Sequence, residues 1–198
     1  MRHNISAAVL AGGKCSRMAT EKSLLKVREV PLIDETVVLL KEIFPEIILV
    51  TGKIEIINRF PELRCVNDIV KSAGPLAGIY TALKTASNDA VFIFACDMPN
   101  LEKVLIEEMI DFYQMKRNTM IILVPKHKRG IEPLHAIYHK ANIFQIEKQL
   151  SQKNYKISDF YTEVTTEYFE ISEDYSELFY NINTKEDLLG FNDKKKTV

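Results

Sequence analysis

The first two-thirds of the chain is punctuated by short, continuous apolar runs. Residues 5–11 (ISAAVLA), Ile47 to Val50, Leu63 to Val66, Ala90 to Ala95 and Thr119 to Val124 read as buried strands. The segments between them carry helical spacing. Pro31 opens a helix in which Leu32, Ile33, Val37, Leu40 and Phe44 recur on one face, and Pro45 ends it. Lys53 to Phe60 predicts a short helix closed by Pro61, and Pro75 sits near the start of another that runs to Thr85. Leu101 to Lys116 predicts a third long helix, with Val104, Leu105, Glu108, Met109 and Phe112 along its stripe. Strands alternating with helices in this way predict an α/β domain with a mostly parallel sheet.

The pattern weakens after Pro125. Leu24 to Val27 and Leu134 to Tyr138 suggest further strands, the second a candidate for antiparallel pairing. Lys126 to Gly130 reads as a basic loop, Ala141 to Leu150 as a helix, and Val164 to Ile171 as a β-prone stretch. Thr184 is placed to cap a short helix over Lys185 to Leu189, and residues 192–198, with Lys194, Lys195 and Lys196, read as a solvated tail. The expected organisation is one domain over residues 1–191.

Composition narrows the classes. A chain of 198 residues with 46% hydrophobic and 27% charged content can bury a substantial single core. A formal net charge of −1 gives no global basic field for nucleic acid. No apolar run approaches a membrane span, and Met1-Arg2-His3-Asn4 leads into a strand without a signal-peptide core. Cys15, Cys65 and Cys96 are odd in number and far apart, which argues against a disulfide framework or a zinc site and for a reducing cytoplasm.

Candidate chemistry begins where the first strand ends. Gly12 and Gly13 are followed by Lys14, Arg17 and Lys22, as a phosphate-binding turn requires: glycines let the backbone approach, and cations neutralise charge. Neither the P-loop spacing nor GxGxxG is present, and a tight turn with solvated cations remains an alternative. Ligands of open α/β sheets sit beyond the carboxyl ends of the strands, where this chain places Thr51, Asn67, Asp68 and Asp97. Asp97 follows VFIFAC directly. It either faces a ligand, for which Mg²⁺ on nucleotide phosphates is suited, or caps a helix starting near Pro99 or Leu101. Of the histidines, His135 and His139 lie in a strand-like stretch and read as packing or surface residues.

The ordered set LAGGKCSRMATEK, GPLAGI and CDMP resembles the molybdenum cofactor guanylyltransferases, and EPLHAIYHK and NINTKEDL extend the resemblance over nearly the whole chain. The family belongs to nucleotidyltransferases of a Rossmann-like, glycosyltransferase-A-type fold (nucleotide-diphospho-sugar transferase-like), a twisted, mostly parallel sheet flanked by helices. The resemblance implies transfer of GMP from GTP to the terminal phosphate of molybdenum-molybdopterin, with pyrophosphate released. It implies GTP contacts at Leu10, Ala11, Gly12, Gly13, Lys22, Asp68 and Gly74, charge stabilisation by Arg17 and Lys22, Mg²⁺ on Asp97, and a pterin side at Asn181 and Asn183. Molybdoenzyme apoproteins or cofactor chaperones are candidate downstream partners. Ala19 and Glu21 depart from the family's Gly and Asp, and Val50-Thr51-Gly52 occupies the region where some members place an Asn. The residues alone leave open CTP in place of GTP, a sugar phosphate as acceptor, or a non-catalytic nucleotide-binding module.

Overall fold

The computed structural model describes residues 4–12, 26–27, 30–116, 122–172, 178–180, 182 and 187. Gly13, Cys15, Arg17, Ala19, Glu21, Lys22, Asn181, Asn183, most of the expected helix over 185–189 and residues 192–198 lie outside them.

The apolar runs form the middle of one eight-stranded sheet. β1 (Ile5–Leu10) pairs in parallel with β4 (Ile47–Val50) on one side and β6 (Ala90–Ala95) on the other, and β5 (Arg64–Val66) extends the sheet beyond β4. Every residue of β6 is buried, as a strand covered on both faces must be. The far half is built from β7 (Ile122–His127), β9 (His135–His139) and β10 (Thr166–Glu170), giving the order β10-β7-β9-β6-β1-β4-β5. β9 runs antiparallel between β6 and β7. β8 (Gly130–Ile131) folds back on the end of β7, and β2 (Lys26–Val27) forms a separate two-stranded ladder with β3 (Val30–Pro31).

Helices cover both faces. α1 (Leu32–Ile43), α2 (Ile54–Arg59) and α4 (Lys103–Lys116) share a core with Ile5, Ala7, Val9, Phe92 and Phe94. α3 (Gly74–Thr85), α5 (Ile143–Ser151) and α6 (Ile157–Tyr161) pack on the opposite face with Ala8, Ile48, Val91 and Ile93. Alternate residues of single strands thus serve the two cores, as the pleat demands. The chain leaves β1 outward to β4 and β5, then returns across the other face through α3 to β6. The strand order therefore reverses beside β1, and a crevice opens at such a reversal.

Two readings are corrected in detail. The buried stripe of α4 is Leu105, Ile106, Met109, Ile110 and Tyr113; Glu108 is exposed and Val104 is 54% exposed. The basic stretch is not a free loop: Lys126 and His127 belong to β7, Gly130 begins β8, and Lys126 pairs with Glu170 of β10 at 3.2 Å.

Candidate nucleotide-binding site

At the carboxyl edge of β5, β4, β1 and β6 lies a cleft of about 770 Å³. Gly12, Gly52, Asn67, Asp68 and Asp97 line it, each one or two residues past the end of one of these strands. Leu10 and Ala11 form its floor with Val50, and Gly74, Pro75 and Gly78 of α3 form one side. The structure thus brings together Leu10, Ala11, Gly12, Asp68, Gly74 and Asp97.

Each of these residues is held by its own local physics. The backbone leaves β1 tied to β4: Ala11 N–H donates to Val50 O at 3.0 Å, and the buried Thr51 hydroxyl donates to Ala11 O at 3.3 Å. Gly12 lets Asp68 come close: a Cβ there would stand 3.3 Å from Asp68 Oδ2, tighter than most such contacts. Gly74 is needed for backbone shape, with φ at +69° at the entry to α3. α3 has no side-chain cap and no acidic residue in its first turn. The N-terminal end of α3 therefore borders the cleft with no capping side chain of its own, an arrangement that suits an anion.

Gly78, one turn into α3, lets the helix lie against β1: a Cβ there would be 3.0 Å and 3.1 Å from the two Leu10 methyls. Gly78→Val should push Leu10 into the cleft and cost about 2 kcal/mol through overpacking. A lower urea midpoint with an unchanged slope would report it.

The two carboxylates differ. Asp68 is half-buried, and its Oδ1 has no hydrogen-bond partner among the described residues. Burial raises its pKa above the usual carboxylate value. An orphaned, partly desolvated carboxylate oxygen is costly unless a ligand satisfies it. Asp97 lies six residues before α4 begins at Lys103, so helix capping does not explain it. Its carbonyl accepts the N–H of Ile182 at 3.0 Å. The residue between Asn181 and Asn183 is thereby fixed beside Asp97, and the carboxyl-terminal segment meets the cleft there.

Sequence reasoning missed part of the lining. Lys53 and Lys71 add two cations, and Leu134 adds an apolar edge. Lys53 sits one residue past Gly52 and was discoverable from the strand-end rule. Leu134 was not, because it enters only through the antiparallel placement of β9, where Ala95 N–H donates to Leu134 O at 3.0 Å. The described histidines fall outside the cleft: His135 is buried among Phe92, Phe94 and Phe179, and His139 accepts the N–H of Ala141 at the start of a 3₁₀ turn. Among the described residues no group of three or more His, Cys, Asp or Glu side chains is arranged to hold a metal ion, and no helix is long and apolar enough to cross a membrane.

A glycine-walled crevice at the reversal of a mostly parallel sheet, with an open helix N-terminus and two carboxylates, defines an α/β protein built to take a phosphorylated ligand. Residues 7–166 match the MobA-like NTP transferase domain. The chain is 36% identical over 196 residues to a probable molybdenum cofactor guanylyltransferase of Natranaerobius thermophilus, covering 95% of each chain. It is 32% identical over 189 residues to the molybdenum cofactor guanylyltransferase of Syntrophotalea carbinolica, covering 92% of this chain and 88% of that one. The solved molybdopterin-guanine dinucleotide biosynthesis protein A of Archaeoglobus fulgidus superposes with a TM-score of 0.81 at 25% identity, covering 98% of this chain and all of that one. A CMP-2-keto-3-deoxy-manno-octonic acid synthetase, at 10% identity and a TM-score of 0.76, shares the fold. The chain belongs to the MobA-like NTP transferase family and is a nucleotidyltransferase.

Proposed function

We propose that this protein transfers GMP from GTP to the terminal phosphate of molybdenum-molybdopterin, forming molybdopterin guanine dinucleotide and releasing pyrophosphate. The observation that carries the reading is the cleft itself: one continuous wall from Asn67 and Asp68, past Gly12 and the open end of α3, to Asp97 and the Ile182 contact. It has room for a nucleotide at one end and an acceptor at the other.

In this reading Leu10, Ala11, Gly12 and Gly74 bound the nucleotide, and Asp68 accepts hydrogen bonds from it, which satisfies the orphaned Oδ1. Gly13, Arg17 and Lys22 complete the phosphate side, and Asn181 and Asn183 belong to the pterin side. Asp97 offers a hard carboxylate oxygen at the cleft wall, which fits Mg²⁺, an ion that commonly takes one or two carboxylates and fills its shell with phosphate and water oxygens. Asp97 is assigned as its ligand. Bound there, Mg²⁺ supplies charge neutralisation on the phosphates.

The protein's own work is positioning and electrostatics. The attacking phosphate is already anionic, so no strong general base is required, and none of the described histidines lines the cleft. The glycine turn holds the α-phosphorus near the acceptor, which converts encounter into an oriented reaction. Arg17 and Lys22 balance charge on the β- and γ-phosphates and on departing pyrophosphate. Residues 1–191 form the catalytic unit, and a reducing cytoplasm suits it.

Titration of the purified protein with GTP, CTP and ATP, each with and without Mg²⁺, tests the reading. GTP is expected to bind at least about tenfold tighter than the others, and more tightly with Mg²⁺. Preference for CTP would move the protein to cytidylyl transfer, and binding of none would overturn the assignment.

A further inference from the structure

We propose that Asn67 is the residue that selects guanine, its side-chain amide N–H donating to the O6 oxygen of the base. This rests on the reading of the cleft as a GTP site. The glycine turn at β1 and Asp97 at β6 take the phosphate end of the nucleotide, so the nucleoside extends toward β4 and β5. Strands lie roughly 4.8 Å apart, which puts the end of β5 about 10 Å from β1, the reach of a ribose and base.

The end of β4 offers little with which to read a base. Thr51 is buried, and its hydroxyl is committed to Ala11 O and to the N–H of Lys53. Residue 52 is glycine. Asn67 uses the space this leaves: a Cβ at position 52 would stand 2.1 Å from Asn67 Oδ1, 3.2 Å from Cγ and 3.8 Å from Nδ2. The carboxamide of Asn67 thus occupies the place of a residue-52 side chain. Its oxygen is turned in against Gly52, and its N–H₂ is the outer group.

Asn67 is exposed on the cleft wall, where a ligand can reach its amide. Its neighbour Asp68 turns toward Gly12, so the two side chains serve different parts of a ligand. The loop that presents them is pinned to α3: Ile69 N–H donates to Thr81 Oγ1 at 3.0 Å, and that hydroxyl donates to Ala77 O at 2.8 Å. A donor on a fixed backbone discriminates by chemistry. Guanine offers O6, an acceptor, at the position where adenine offers the N6 amino group, a donor. Donor meeting donor leaves both unpaired, and a site built on one hydrogen bond rejects the base that lacks it.

The test is the ratio of GTP to ATP affinity, measured by competition in Mg²⁺ with the full chain. It compares wild type, Asn67→Ala, Asn67→Asp and Gly52→Ala. Asn67→Ala should lower the ratio about tenfold, the worth of one specific hydrogen bond. Asn67→Asp places an acceptor where the donor was and should lower the ratio further; the ratio cancels any uniform repulsion of phosphates by the added charge. Gly52→Ala displaces the carboxamide and should mimic Asn67→Ala. Ratios within about twofold of wild type in both Asn67 variants would overturn the proposal while leaving the GTP reading standing. A wild-type protein with no preference for GTP would overturn both.

Discussion

Replacing Asp97 by Asn should reduce nucleotidyl transfer by on the order of a thousandfold while the protein stays folded. The side chain is partly exposed at the cleft edge, and Asn is its isostere. The Asp97 carbonyl, which accepts from Ile182 N–H, is unchanged by the substitution. What is lost is one negative charge at the end of a fully buried apolar strand. Under the proposed function that charge is the ligand of Mg²⁺, and its loss removes the ion that would offset developing phosphate charge. The effect should fall on turnover. GTP affinity without Mg²⁺ should stay within a fewfold of wild type, and the gain in affinity on adding Mg²⁺ should disappear. Circular dichroism and thermal unfolding check the fold; a pyrophosphate-release assay with saturating Mg²⁺ checks the chemistry. Wild-type turnover in this variant would remove Asp97 from the site.

The residues that meet at this cleft were legible one strand at a time. Each of Gly12, Asn67, Asp68 and Asp97 follows an apolar run within two residues, and in a parallel sheet all such positions share one edge. No spacing reveals which side chains converge within that edge. Asn67 and Asp68 are neighbours in sequence, yet one lies against Gly52 and the other against Gly12. The far half of the sheet was less legible because backbone pairing there is indifferent to side-chain polarity. β7 continues through Pro125, Lys126 and His127, past the end of its apolar run, since β8 and β10 pair with it. In α4 the apolar residues outnumber the buried positions, so Val104 can be included in a stripe whose buried centre is Leu105, Ile106, Met109 and Ile110. The role of Asp97 turned on where α4 begins. Helix starts are poorly fixed by sequence, and Lys103 is too distant for Asp97 to cap it.

Stability should fall steeply in mild acid, and His135 should account for much of that fall. The side chain is 2% exposed, both ring nitrogens lack a partner among the described residues, and burial pushes its pKa down to about 3. The groups that face it are aromatic: Phe92 and Phe94 of β6 and Phe179 meet it edge-on, and His127 of β7 stacks on Phe179 and bonds Glu132. No carboxylate among these contacts stabilises an imidazolium. Above pH ~6.5, the unfolded value, both states hold His135 neutral and it contributes no pH dependence. Below that the unfolded chain takes a proton the folded chain refuses, so the unfolded state gains about 1.4 kcal/mol per pH unit until the folded pKa is reached. By pH 4.5 this amounts to roughly 3 kcal/mol, a large fraction of the 5–15 kcal/mol typical of a domain. His135→Leu keeps a similar volume and removes both the titration and the unpartnered nitrogens. Its stability at pH 7.5 should equal or exceed that of wild type, and its decline from pH 7.5 to 4.5 should be smaller by about 3 kcal/mol in urea unfolding. His127 and Glu132 are present in both proteins, so the difference between the two curves belongs to position 135. Parallel decline of the two proteins would mean that the buried imidazole is protonated in the folded state, and that the aromatic cage opens to admit water before the domain unfolds.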